Sequence, residues 1–528
     1  MKNKLIILYS LLAVFSCSCE DLLDRQPISE YSASSLFTGE KDAIAALNGC
    51  YEYIEDGTWV HYIDCGSDNA FDPYPWEGYM ELGNMLLLTP TNPGNGKWYF
   101  GAVTRCNWFL ENIDKAPIYD NLKKRMKAEA RFIRAYQYFQ KSQLYGDVPL
   151  MTKPITTEEA NTITRNPKAQ VVQFVLDELT EIIADLPKSY EGNDVGRITE
   201  GSAWALKARV ELFNEKYEDA AASCQKVMDL NVYSLFPSYQ DLFRIQNEYN
   251  SEIILDRAYL ENTVPLWSLG IMSPHIGRNG WYSVDPTQSL VDAYETINGK
   301  TIDDPTNSLY DPEDPYKNRD SRLEATILVP GAFYEGQYFN PMEEFPGNED
   351  YWASYNYTGY CIKKYTAFLS DFTDIWNSGL NIPLIRYAEV LLTYAEAKIE
   401  LDQIDNSVYS AIDAVRLRAG LPAVDQAFYS GQSQMRDLIR RERRVELAME
   451  GLRFYDIQRW RIGEEVMSVP VYGSRLCTVD PSNGKVTFTS TEHVKNEDRV
   501  FNPAKNYVWP IPQREIDINP NLGQNPNY

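Results

Sequence analysis

Apolar residues recur at helical spacing in two blocks of the chain and lose that rhythm between them. Near Lys41–Tyr53, Ala43, Ala46, Leu47 and Cys50 fall at i, i+3, i+4 and i+7, the stripe that an amphipathic helix turns toward a core. The same spacing predicts helices over 98–114, 121–145, 168–185, 199–213 and 216–229, then over 384–401, 406–418 and 432–450. In 121–145 the apolar face is Phe132, Ala135, Tyr136 and Phe139; Gly146 and Pro149 follow where a C-cap and a stop belong. Ala130 and Ala135 should allow a neighbouring helix to approach closely, and Lys141 is expected on the solvent side. The pair 199–213 and 216–229 is tightly linked and rich in Ala, as in helix-pair repeats that bury a face against the next pair.

Residues 56–97 and 231–382 break this periodicity with Pro, Gly, Asp and Asn, as does 461–528. An irregular stretch as long as 231–382 inside a helical protein is usually functional. The expected layout is a helical scaffold over about 39–230 and 383–460, a loop-rich insertion over 231–382 and an irregular C-terminal segment, 461–528.

The N-terminus carries an address. Lys2 and Lys4 precede an apolar run, Leu5–Phe15, too short to span a bilayer and suited to a signal peptide. With Ser16, Cys17, Ser18 and Cys19 behind it, the pattern suggests a lipoprotein signal over 1–18. Cys19 is the expected lipidation site, with Cys17 the alternative, and 19–38 would be a tether.

Composition narrows the function. The net charge of -25 offers no attractive field to nucleic acid, so no nucleic-acid partner is expected. Three His, with no short spacing, and scattered Cys outside the N-terminus leave no metal or triad constellation. Nucleophile-elbow, zinc-protease, phosphate-loop and dinucleotide motifs are missing as well. The expectation is a protein with no catalytic residues, no metal and no cofactor. Acid pairs such as Asp303/Asp304 and Glu343/Glu344 read as solvated loop acids. The run Arg440–Arg444, interleaved with Glu442, Glu446 and Glu450, reads as intrahelical and interhelical ion pairs.

Several stretches carry a family resemblance. AEARFIRAYQYFQKSQLYGDVPL (128–150), GRITEGSAWALKARVELF (196–213), IPLIRYAEVLLTYAEAKIEL (382–401) and RRERRVELAMEGLRFYDIQRW (440–460) resemble the SusD/RagB family of surface lipoproteins. The N-terminal CEDLLDRQP and the ending PIPQREIDINPNLGQNPNY do so too. The resemblance implies an all-α fold: a tetratricopeptide-like helix-pair scaffold whose long irregular loop insertions form a ligand face. It also implies a lipid anchor on the outside of the outer membrane, glycan capture, and pairing with a SusC-like TonB-dependent transporter rather than catalysis. Peptide or glycopeptide binding, a surface glycan hydrolase and a lid without ligand contact are the alternatives.

Sugar recognition needs flat aromatic rings against pyranose C–H faces and polar groups against the hydroxyl rim. Three segments supply both. The first, 61–76, offers Asp64, Asp68, Asn69, Phe71, Tyr74 and Trp76. The second, 262–282, offers Trp267, His275, Arg278, Asn279, Trp281 and Tyr282. The third holds Tyr351, Trp352, Tyr355 and Tyr357. The candidate ligand residues are Asp68, Asn69, Tyr74, Trp76, Trp267, Arg278, Trp281, Tyr282, Trp352 and Tyr355. Trp98, Trp108, Trp204, Trp460 and Trp509 read as scaffold.

Overall fold

The computed structural model describes residues 37–528 except 95, 277, 278 and 355. The signal segment, Cys17, Cys19, most of the tether, Arg278 and Tyr355 therefore lie outside the described residues.

Ten α-helices of eight residues or more occur among the described residues: α1 Glu40–Tyr51, α2 Gly101–Asn112, α3 Asp120–Tyr145, α4 Lys168–Ile182, α5 Glu200–Phe213, α6 Tyr217–Asp229, α7 Tyr387–Glu400, α8 Asn406–Arg418, α9 Gln432–Glu446 and α10 Arg453–Trp460. Local chemistry sets their ends. Thr199 caps α5 by accepting from Ser202 N, and Asp405 caps α8 by accepting from Ser407 N. Gly146, at φ +71°, closes α3 and donates to Ser142 O. Packing runs from α1 and α2 onto α3, through α4 and α5 to α6, then across to α7, α8 and α9. The chain is all-α in class, with a tetratricopeptide-like helix-pair scaffold. Sheets are small: the described residues form five pairs of strands, the longest partners being β1 Ile253–Arg257 with β2 Ile382–Arg386, and β3 Val471–Val479 with β4 Val486–Glu497.

Three expectations need correction. Lys141 is buried, not solvated. Elements surround the C-terminal half of α3, so even its polar positions lie inside. The Lys141 ammonium donates to Gln137 and lies 5.3 Å from the Phe100 ring centroid, and burial lowers it to about 7. The predicted helix 384–401 starts only at Tyr387, because the apolar run before it is strand β2, buried at all five positions. Finally, 461–528 is not wholly irregular: β3 and β4 form a long antiparallel hairpin, with Val479 opposite Val486. No residue of β4 is fully buried, so its alternation carries little apolar contrast.

The Arg440–Glu450 run pairs outward only. Among the described residues, each of its ion pairs reaches another element. Arg443 meets Glu396 and Asp456, and Arg441 meets Glu295. Glu442 and Glu446 hold the buried Arg322, while Glu446 and Glu450 hold the buried Arg386. Glu450 also takes Lys364 at 2.6 Å. Much of the 231–382 insertion is thus tied to the scaffold by charge. The apolar core forms two clusters, the smaller one inside α7–α9. The six described Cys are buried and unbridged. Trp98 and Trp509 are in the core, and Trp108, Trp204 and Trp460 are half-buried.

Candidate ligand-binding face

Three irregular segments meet beside the scaffold. In the first, Ala70 and Phe71 pair with Pro286 and Asp285, just past the end of the second. The chain then turns through two prolines, and Asp72 accepts from Tyr74 N at 2.8 Å. Trp76 stacks on Tyr74 with ring centroids 4.9 Å apart and planes 27° apart. It remains 76% exposed.

The second segment is fixed to the first. The Tyr74 hydroxyl donates to Trp281 O at 3.0 Å, and Trp281 N donates to Gly270 O at 3.2 Å. Trp281 is 51% exposed, and Trp267, just before the short helix Ser268–Met272, is 48% exposed. The Trp281 ring lies 4.8 Å from Trp376, at 60°. Gly270 makes this possible, since a Cβ there would sit 2.4 Å from the Trp376 ring.

The third segment closes on both. Tyr357 sets its ring edge-on to Tyr74 at 6.1 Å, and its N–H donates to Asp285 Oδ2 at 3.1 Å. Trp352 is half-buried; its N–H donates to Pro341 O, and its ring lies 6.1 Å from Tyr351. Loops distant in sequence therefore bring two ring groups together: Trp76, Tyr74 and Tyr357 in one, Trp281 and Trp376 in the other, joined by the bond from the Tyr74 hydroxyl to Trp281 O.

Not every expected residue reaches it. Asp68 is buried and bridged by Arg453 at 2.7 Å and Arg444 at 3.0 Å. Burial works against its charge, but the two guanidiniums hold it down to about 2. Asn69 is also buried and accepts from Arg444. Both belong to the ion-paired interior, not to a binding surface. Tyr282 is fully buried, with its hydroxyl on Asp350, and Tyr74 serves beneath Trp76 rather than on the surface. Asp64 is buried among scaffold groups and pushed up to about 7 by burial. Trp376, one of the tryptophans of the irregular insertion, falls outside the three candidate segments; its signal in the sequence is being a Trp in that irregular stretch.

Acids underlie the face. Burial raises Asp72 to about 8, with Glu77 and Glu81 adding to the rise, and lifts Asp285 strongly. His61, packed 4.7 Å from the Tyr365 ring, is lowered by burial to about 3. Among the described residues, no group of three or more His, Cys, Asp or Glu is placed to hold a metal ion. A separate cleft of about 1160 Å³ between α1 and α2, lined by Tyr53, Trp98, Tyr99, Arg105 and Trp108, shares no residue with the face.

A family model described as "SusD family" matches residues 249–528. The chain belongs to the SusD family. A second model, described as "Starch-binding associating with outer membrane", matches 61–212. Trp76 and Trp281 fall in different matched spans. A SusD-like protein of Formosa agariphila is 26% identical over 562 residues, covering 99% of this chain and 98% of that one. The starch-binding protein SusD of Bacteroides thetaiotaomicron is 24% identical, covering 81% and 76%. A SusD-like carbohydrate binding protein from Bacteroides fragilis superposes with a TM-score of 0.81 at 30% identity, covering 92% and 99%.

Proposed function

We propose that this SusD-family chain is a cell-surface lipoprotein that captures an oligo- or polysaccharide and passes it to a SusC-like TonB-dependent transporter in the outer membrane. The observation that carries the reading is the pair of exposed indoles, Trp76 and Trp281, each backed by a neighbouring ring and joined through Tyr74. Rings held in fixed planes on a rigid scaffold suit the apolar faces of successive sugar units. Relatives named for starch or carbohydrate binding support the ligand class.

Affinity electrophoresis against soluble starch, laminarin and other plant, host and microbial glycans tests it. Retardation of the wild type by at least one polysaccharide, with that polysaccharide recovered intact, is the expected result. Cys19 is the proposed anchor. A lipid chain contributes about 0.8 kcal/mol per buried CH₂, so Cys19→Ala should release the protein from membranes in detergent-free buffer. If Cys17→Ala releases it instead, Cys17 carries the lipid.

A further inference from the structure

We infer that Asp350 is the positioning residue that sets Trp281 on the ligand face, by clamping both described arms of the loop before Ser283, His275–Ile276 and Tyr282, to the turn 341–352. One carboxylate oxygen of Asp350 accepts from His275 N at 2.8 Å, from Ile276 N at 3.2 Å, and from the Tyr282 hydroxyl. These donors lie on both arms of the loop, so a single buried oxygen draws the arms together.

The loop needs such a clamp. Tyr282 has φ +55°, in the left-handed region that bulky residues avoid. That conformation reverses the chain, so the Tyr282 ring goes inward while Trp281 turns out. The crossing is tight: a Cβ on Gly280 would lie 2.0 Å from Ser273 O, and Tyr282 N donates to that same oxygen. Strain of this kind persists only where surrounding contacts over-determine it, and Asp350 supplies the contact at the strained residue itself.

The other side of the clamp is braced. Trp352 N–H closes the 341–352 turn onto Pro341 O, and Asn348 donates to Asn340 O and Glu343 O while accepting from Asp350 N. Asp350 is buried, so it acts through Trp281 rather than on a ligand. One oxygen accepts from all three donors, so a neutral amide oxygen should serve in its place. The consequence for affinity rests on the glycan-binding reading; the clamp itself does not.

Hydrogen exchange read by mass spectrometry tests the clamp without any ligand. Asp350→Ala should speed exchange in peptides spanning 270–285 and leave α3 unchanged. Asp350→Asn, which keeps the accepting oxygen, should stay near wild type, and Tyr282→Phe should fall between. On a polysaccharide that retards the wild type, Asp350→Ala should weaken binding about tenfold, as loss of a preorganised anchor does, with Asp350→Asn close to wild type. Unchanged exchange over 270–285 in Asp350→Ala overturns the inference, as does equal loosening in the Ala and Asn variants. Should Asp350→Ala fail to fold, Tyr282→Phe decides: exchange no faster than wild type over 270–285 overturns it. If the wild type is retarded by no polysaccharide while the exchange result holds, the glycan reading fails and the clamp stands.

Discussion

An indole left half in water forgoes much of the roughly 1.5–3 kcal/mol that burying a large apolar side chain brings. Trp76 and Trp281 both do so, yet their backbones and ring neighbours are fixed, which is the arrangement of a binding anchor rather than of a loose loop. Truncating a central anchor costs more than about 2 kcal/mol of binding, whereas a rim contact costs little. We therefore expect Trp76→Ala or Trp281→Ala to abolish retardation by a polysaccharide that retards the wild type, with helical circular dichroism unchanged. Trp204→Ala, in half-buried scaffold, should lower the melting temperature instead. Wild-type retardation in both loop variants would shift attention to the aromatic cleft between α1 and α2. Asp72 makes a pH prediction. Its pKa in the folded protein, about 8, lies above its unfolded value, so the folded state holds the proton more tightly. Its stabilising contribution is full below the unfolded value of about 4 and is lost as pH rises through about 8. Melting temperature should fall between pH 5 and pH 8.5, and Asp72→Asn, which keeps an acceptor for Tyr74 N, should flatten that fall. An unaltered slope in the Asn variant would remove Asp72 as its source.

At the scale of elements, what the sequence revealed depended on apolar contrast. The α1 quartet Ala43, Ala46, Leu47 and Cys50 is the buried face the spacing predicts, because one side of α1 remains wet. Strand β2 was absorbed into the following helix because an apolar run buried on all sides has no period to distinguish strand from helix. Hairpin β3–β4 went unseen for the opposite reason, lying too near the surface for strong alternation. The candidate face divides along similar lines. Exposed Trp76, Trp267 and Trp281 were visible as aromatics in irregular chain, while Asp68 and Asn69 were misassigned because their Arg partners lie some 375 residues away along the chain. Helix α3 gives the element-scale test. Ala135 is wholly buried within it, and overpacking a filled core costs about 1–3 kcal/mol. Ala135→Leu should lower the melting temperature. Lys141→Leu should not be silent either, since the side chain is enclosed. Removing a buried ammonium that burial already disfavours should leave Lys141→Leu more stable at pH 7 than Ala135→Leu. Equal melting temperatures for the two variants would contradict this packing of α3.

Across the whole molecule, the insertion that carries the second and third loops of the face is seated on the scaffold by buried charge as well as by a shared apolar core. Six cations, Arg322, Lys364, Arg386, Arg416, Arg418 and Arg441, face six carboxylates, Glu252, Glu295, Asp320, Glu442, Glu446 and Glu450. The balance matters more than any one pair, because an uncompensated buried charge is what such a site cannot tolerate. Glu446 is its hub, accepting from Arg322, Arg386 and Arg418. Burial opposes its charge, but those three guanidiniums hold it well below the ordinary carboxylate range. A lowered folded pKa contributes stability that is present above the unfolded value and lost only as pH falls through the folded one. The network should therefore survive mild acid, and, with the opposite trend from Asp72, maximum stability should lie on the acid side of neutrality. Glu446→Gln keeps the shape but leaves one positive charge in excess, a defect of about 3–5 kcal/mol. We expect a melting temperature several degrees lower at pH 7. We also expect faster hydrogen exchange in Glu252–Arg257 and around Lys364, where the insertion meets the network, before α3 is affected. Because those contacts tie the insertion that carries Trp281 to the scaffold, polysaccharide affinity should fall with them even at temperatures where the scaffold remains folded. A Glu446→Gln protein whose insertion exchanges and binds like the wild type would show that apolar packing alone seats the face.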